Sequence, residues 1–165
     1  MMIVSAMMTR LTKMEKQGGA AAVEFALLII PMLVMVFGIT EFGRAMYQYN
    51  TLVKLTRDAT RYLTTQAAGT GVGTAQCLAV YGNTTCTAPA LLPGLTTTMV
   101  TECDATNCPG THSAVATGAG AVNLVTVTIS GYQFQSLVNF TIGGFGVGMP
   151  NITFGAVSTT MRQIL

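Results

Sequence analysis

GGAAAVEFALLIIPMLVMVFGITEFGR, residues 18–44, decides the fold. Between residues 20 and 40 it is apolar apart from Glu24 and Thr40, with a single proline, Pro31. About 21 residues in a helix rise roughly 30 Å, the thickness of a bilayer's hydrocarbon core. A helix on the surface of a soluble domain carries a polar face, and this one has none. The stretch reads as a membrane-spanning helix.

Working outward, the residues before it hold Arg10, Lys13 and Lys16 and run straight into Gly18 and Gly19. No short apolar core or A-x-A site separates charge from span, so this is not an ordinary secretory signal. Met2, Met7, Met8 and Met14 are alternative starts, so the basic leader can be shorter than 19 residues. On the other side, Ala45, Tyr49, Leu52, Thr56, Ala59 and Leu63 recur at spacings of three and four, which predicts an amphipathic continuation of the same helix. Lys54 and Asp58 are placed to pair at i, i+4. The helix should end near Gly69, where GTGVG begins. Pro31 predicts a kink or local melting inside the span.

Glu24 is the odd residue. A carboxylate at mid-bilayer costs on the order of 2.5–3.5 kcal/mol, but this one lies about one turn from the start of the apolar run. One reading is a carboxylate favoured by the positive end of the helix dipole. The other is a charge awaiting a positive partner. Gly19 followed by AAAVEF, between a basic leader and a long apolar run, resembles the junction of a class III, type IV-like prepilin. GITEFGRAMYQYN, TRDATRYL, VTVTISGYQF and the terminal STTMRQIL narrow this: the chain resembles the TadE-like pseudopilins of the tight-adherence (Flp pilus) machinery. The resemblance implies cleavage between Gly19 and Ala20 by a membrane-bound prepilin peptidase. It also implies roles for Glu24 and Phe25 in assembly and register, with Glu24 beside the α-amino group of Ala20 in a neighbouring subunit. Implied partners are other pilin subunits, the inner-membrane assembly platform and the lipid bilayer.

Only 8% of the 165 residues are charged, against about 25% in ordinary soluble domains. The net charge of +2, with no basic stripe interleaved with aromatics, excludes a nucleic-acid partner. All four cysteines, Cys77, Cys86, Cys103 and Cys108, lie beyond the span. An even count in a polar, loop-rich region suggests two disulfides in an oxidising compartment. Of the three connectivities, local pairing of Cys77 with Cys86 and Cys103 with Cys108 is expected. A four-cysteine zinc site is the second reading, with spacings loose for a zinc knuckle, and free thiols are the third. Lysines and arginines flank both ends of the span almost equally, leaning towards the opposite orientation. The cysteines and the prepilin-like junction put the C-terminal part on the periplasmic side of a bacterial inner membrane, from which it can enter an extracellular pilus.

Residues 70–120 predict loops with one or two short strands, ordered at residues 90–93 and 96–101, and a flexible segment around His112. Residues 122–134 are the clearest strand, with Val125, Val127 and Ile129 on one side. Residues 143–148, GGFGVG, lack the sequence of a phosphate cradle and read as a turn. A second strand is expected at residues 152–160, with Ile152, Phe154 and Ala156 on one face. No catalytic constellation emerges: His112 has no nucleophile elbow near it, and Glu102 and Asp104 read as solvated loop charges. No metal or cofactor is implied. The expected fold is α+β: a leader (1–19), a transmembrane helix (20–41), its periplasmic extension (42–68), and a small antiparallel β-rich, pilin-like domain with two disulfides (69–165). The expected function is a minor pilin or pseudopilin of a tight-adherence pilus or secretion machine, a structural component and not an enzyme. An uncleaved membrane-anchored scaffold or adhesion protein is the alternative, and an anchored periplasmic hydrolase a distant one.

Overall fold

The computed structural model describes residues 17–142, 145–148 and 151–164. Most of the basic leader and the glycines at 143 and 144 lie outside these residues. One helix dominates: α1, Gln17–Leu63, 47 residues, which at 1.5 Å per residue is roughly 70 Å long. It runs through Pro31 without a break, so local melting there does not occur. Much of its first half is exposed: Phe25, Leu28, Met35 and Ile39 are each exposed by about two thirds. Its second half is buried along a seam of Ala45, Gln48, Leu52, Leu55, Thr56, Ala59, Thr60 and Leu63. Tyr49, which the periodicity placed on that seam, is 41% exposed. Lys54 and Asp58 form no ion pair; among the described residues the only salt bridge is Arg44–Glu41.

The seam packs on a three-stranded antiparallel sheet in the order β1 (Val100–Cys103), β4 (Leu124–Ile129), β9 (Val157–Arg162). Central β4 alternates as its β-branched pattern requires, with Val125, Val127 and Ile129 at 1% exposure or less. Each such side chain contributes about 1.5–3 kcal/mol on burial. Threonines line the contact with β9: Thr56 Oγ1 lies 3.0 Å from Thr159 Oγ1, and the Thr60 hydroxyl donates to the Thr56 carbonyl at 2.6 Å. Back-bonding of this kind satisfies a buried hydroxyl within the helix itself.

A second helix, α2 (Val72–Tyr81), occupies part of the region expected to be loop. Gly71 and Gly82 bound it, both left-handed, at φ 76° and 70°. Only glycine takes that conformation without strain, and the Gly82 N–H closes the last turn on the Leu78 carbonyl. Ala75, Ala79 and Val80 are buried in the core with α1, and the small alanines permit close approach. Leu92 and Leu95 complete this side of the core. A 3₁₀ turn at Thr97–Met99 leads into β1.

The segment around His112 is ordered: a short helix α3 (Pro109–His112) precedes a hairpin of β2 (Val115–Thr117) and β3 (Gly120–Val122). The expected strand over 152–160 is two strands. β8 (Ile152–Thr153) pairs with β5 (Gln133–Phe134), whereas β9 pairs with β4. Between them Phe154 turns in against Tyr49, Tyr132 and Phe134, with ring centroids 5.7–6.2 Å apart. The expected turn at 143–148 is not a turn over its described residues. Phe145–Gly148 is strand β7, paired with β6 (Asn139–Ile142). The chain's end docks on the end of α1, where the Ile164 N–H donates to the Thr64 carbonyl at 2.9 Å. A long apolar helix followed by a small antiparallel region makes the chain an α+β protein.

Candidate functional site

The junction residues sit at the start of α1. Gly19 and Ala20 are exposed, and a Cβ built on Gly19 would meet nothing within 4 Å. Glu24 follows Ala20 by four residues, on the same side of the helix. It is exposed, as is Phe25 at 66%, and among the described residues Glu24 makes no ion pair. The apolar surface from here to Ile39 is one that water cannot accommodate, and it is continuous enough to meet lipid or other helices. Within the described residues, this is the single helix long and apolar enough to cross a membrane.

Where that surface ends, the structure builds a clamp. Glu41, one residue past the apolar run, is 3% exposed. Its two oxygens take Arg44 Nη2 at 2.7 Å and Arg44 Nε at 3.0 Å, a bidentate i, i+3 pair. Glu41 Oε1 also accepts the Leu137 N–H at 2.7 Å. Arg44 Nη2 donates to the Gln135 carbonyl, and its guanidinium lies 4.5 Å from the Phe134 ring centroid. One turn of α1 therefore holds the loop after β5 by two backbone groups. Glu41, placed by sequence at the end of the transmembrane segment, is by its contacts already part of the folded domain. Sequence reasoning gave neither Glu41 nor Arg44 a role. The available signal was a Glu-x-x-Arg pair directly after an apolar run.

The cysteines are joined as two short loops. Cys77 is bonded to Cys86, with Cα atoms 4.9 Å apart, and Cys103 to Cys108, with Cα atoms 5.5 Å apart. The first ties α2 to the loop after it. The second is organised by Asp104, which is not a solvated loop charge: it is 4% exposed. Asp104 accepts the N–H groups of Gly69 at 2.6 Å, Thr106 at 2.8 Å and Asn107 at 3.0 Å. Burial alone would raise its pKa, but the three N–H donors, with His112 nearby, outweigh burial and hold it below the ordinary carboxylate value. Glu102 accepts from Asn107 Nδ2 at 2.8 Å.

His112 sits beside this loop, with Nε2 2.8 Å from Thr126 Oγ1 and Nδ1 2.7 Å from Thr111 Oγ1. Both ring nitrogens are engaged by hydroxyls, which suits a positioned structural imidazole. Cys103, Cys108 and His112 lie close enough to hold an ion. With the two sulfurs bonded to each other, the imidazole is the one donor left of the three. Between α1 and the end of α2 is a groove of about 650 Å³, lined by residues including Tyr47, Thr51, Lys54, Asp58, Leu78 and Leu91.

Residues 19–61 match the family model described as TadE-like protein. The match starts at the junction glycine and ends two residues before α1 does. Over these residues the chain is TadE-like. The matched residues contain Gly19, Glu24, Phe25 and the Glu41–Arg44 pair, whereas the disulfides, Asp104 and His112 lie beyond them. No curated protein and no solved structure matches the chain.

Proposed function

We propose that this TadE-like chain is a minor pilin or pseudopilin of a tight-adherence pilus, cut between Gly19 and Ala20 and assembled through its bare apolar helix. The observation that carries the reading is the family match beginning at Gly19, on a helix whose first half is largely exposed among the described residues. A prepilin peptidase must unwind the end of that helix to reach the peptide bond. Glycine lowers the cost, since in a helix it is less stable than alanine by roughly 0.5–1 kcal/mol. After the cut, the new α-amino group of Ala20 in one subunit lies within reach of Glu24 in the next. The pair offsets the cost of burying either charge and fixes the register of packed helices. The disulfides fit a domain on the periplasmic side, with the assembly platform and other pilins as partners.

Replacing Glu24 with Gln tests the assembly half of this reading. The amide keeps size and hydrogen bonding but removes the charge, so insertion is unchanged or slightly easier. Cleavage persists, because the glycine defines the cut. Piliation at matched membrane levels is lost. A carboxylate serving only the helix dipole contributes at most about 1 kcal/mol, and near-normal piliation would assign Glu24 to that lesser role.

A further inference from the structure

We propose that Cys103, Cys108 and His112 form a zinc site in the dithiol form of the chain, one that closing the Cys103–Cys108 disulfide removes. The site lies beyond the TadE-like residues, in the β-rich part. In the disulfide form the two sulfurs and a ring nitrogen of His112 already fall within 4.8 Å of one another, and His112 Nδ1 is 3.6 Å from Cys103 Sγ. A tetrahedral zinc ion, with sulfur at about 2.3 Å and nitrogen at about 2.0–2.1 Å, holds two such atoms about 3.6 Å apart. The same geometry sets two thiolates about 3.8 Å apart, which the opened bond permits.

The surroundings hold the three donors without help from the bond. The β1–β4 register sets Cys103 opposite Thr126, and the β4–β9 register sets Thr126 opposite Thr160. Opposed residues share a face of a sheet. Val125 and Val127 are buried on the inner face, so this row lies on the outer one. His112 rests on the row through Nε2, 2.8 Å from Thr126 Oγ1, which is 2.7 Å from Thr160 Oγ1. With Nε2–H donating to Thr126, the lone pair is on Nδ1, the nitrogen that faces Cys103. A histidine that ligates a metal is oriented in this way, by a hydrogen bond from its other ring nitrogen. In the disulfide form the Thr111 hydroxyl donates to Nδ1 at 2.7 Å; the Cys108 carbonyl, 3.4 Å from the same hydroxyl, takes it over when an ion claims the lone pair. Cys108 is held by its backbone: its N–H donates to the Asp104 carbonyl at 2.9 Å, and its carbonyl accepts the His112 N–H at 3.0 Å. The Asp104 carboxylate ties the loop to Gly69, Thr106 and Asn107. None of these contacts runs through a sulfur. All three donors are half-buried, so an ion reaches them from solvent and water fills its fourth position.

The ion and the disulfide are alternatives for the same two sulfurs. Zinc binds thiolates, so loading releases one proton from each thiol. The dithiol form exists before the first oxidation, and again when a dithiol reductant opens the bond and is itself oxidised to a disulfide. In that form zinc keeps Cys103 and Cys108 together and away from Cys77 and Cys86. Among the described residues, no third metal-ligating side chain joins Cys77 and Cys86.

The test uses the full chain in detergent, reduced with a phosphine and freed of it without air. It is given one equivalent of Zn²⁺ and then alkylated. Peptide mass spectrometry should find Cys103 and Cys108 protected and Cys77 and Cys86 labelled. Co²⁺ in place of Zn²⁺ should give a thiolate-to-cobalt absorption that zinc abolishes and that the oxidised protein lacks. Thr126→Val, which keeps every ligand, should weaken cobalt binding about tenfold, and His112→Ala, which removes one, by more. Equal labelling of all four cysteines overturns the proposal, because the loop must keep its shape once the bond is open. Protection centred on Cys77 and Cys86, or wild-type cobalt affinity in His112→Ala, overturns it as well.

Discussion

Glu41 satisfies three donors with one carboxylate, and its truncation leaves two of them on a loop and a helix with no other partner of that strength. Hydrogen bonds to a charged group contribute about 1.5–3 kcal/mol each, but Arg44 is 28% exposed and water takes over part of its load. Glu41→Ala should therefore lower stability by about 1–3 kcal/mol in thermal melts of the detergent-solubilised protein. Combined with Arg44→Ala, the losses should be less than additive, because each substitution breaks the same pair. Strict additivity would mean that the two residues act separately. Asp104 adds a pH dependence. Its folded pKa is lowered, so its contribution is fully present above the unfolded value of about 4 and is lost as pH falls through the folded one. Asp104→Asn should be less stable at neutral pH and show a shallower loss on acidification than the wild type, read from melts across the acid range.

At the scale of elements, the two disulfides and the α1–α2 contact hold the domain to its helix. Bridges closing loops of 9 and 5 residues should stabilise by about 2–3 kcal/mol each in the chain-entropy model. Cys77→Ser with Cys86→Ser tests the first by the drop in midpoint. Ala79, fully buried in α2, should tolerate no larger residue: Ala79→Leu should cost about 1–3 kcal/mol by overpacking. What could be read in advance follows from these contacts. α1 was legible because its first half is uniformly apolar and its second half repeats at helical spacing. β4 was legible because Val125, Val127 and Ile129 alternate with threonines. α2 was not, since its flanking glycines read as loop signals and VGTAQCLAVY has no polar face to mark a helix. It is helical because glycine caps both ends and because Ala75, Ala79 and Val80 pack in the core with α1. The interruption between β8 and β9 was hidden for a related reason. Alternation says that a residue faces inward, but not that the strand changes partner at Phe154. The Glu41–Arg44 clamp depends on a loop more than 90 residues away, which no local pattern announces.

For the whole molecule, the decisive feature is asymmetry: a helix of roughly 70 Å of which one half has a domain folded against it and the other is largely exposed among the described residues. In the proposed function the exposed apolar half meets lipid first and other helices afterwards, and a cut after Gly19, at its beginning, would release a new positive terminus four residues from Glu24. This order of events makes the mature N-terminus the most direct test of the account. Co-expressed with a cognate prepilin peptidase, the purified protein should begin at Ala20 by N-terminal sequencing. Its unreduced mass should be four hydrogens below the fully thiol form. Gly19→Leu should remain uncut, because a bulky side chain blocks approach to the backbone. A protein that keeps its leader in the presence of the active peptidase, or a Gly19→Leu variant cut as the wild type is, would contradict the account.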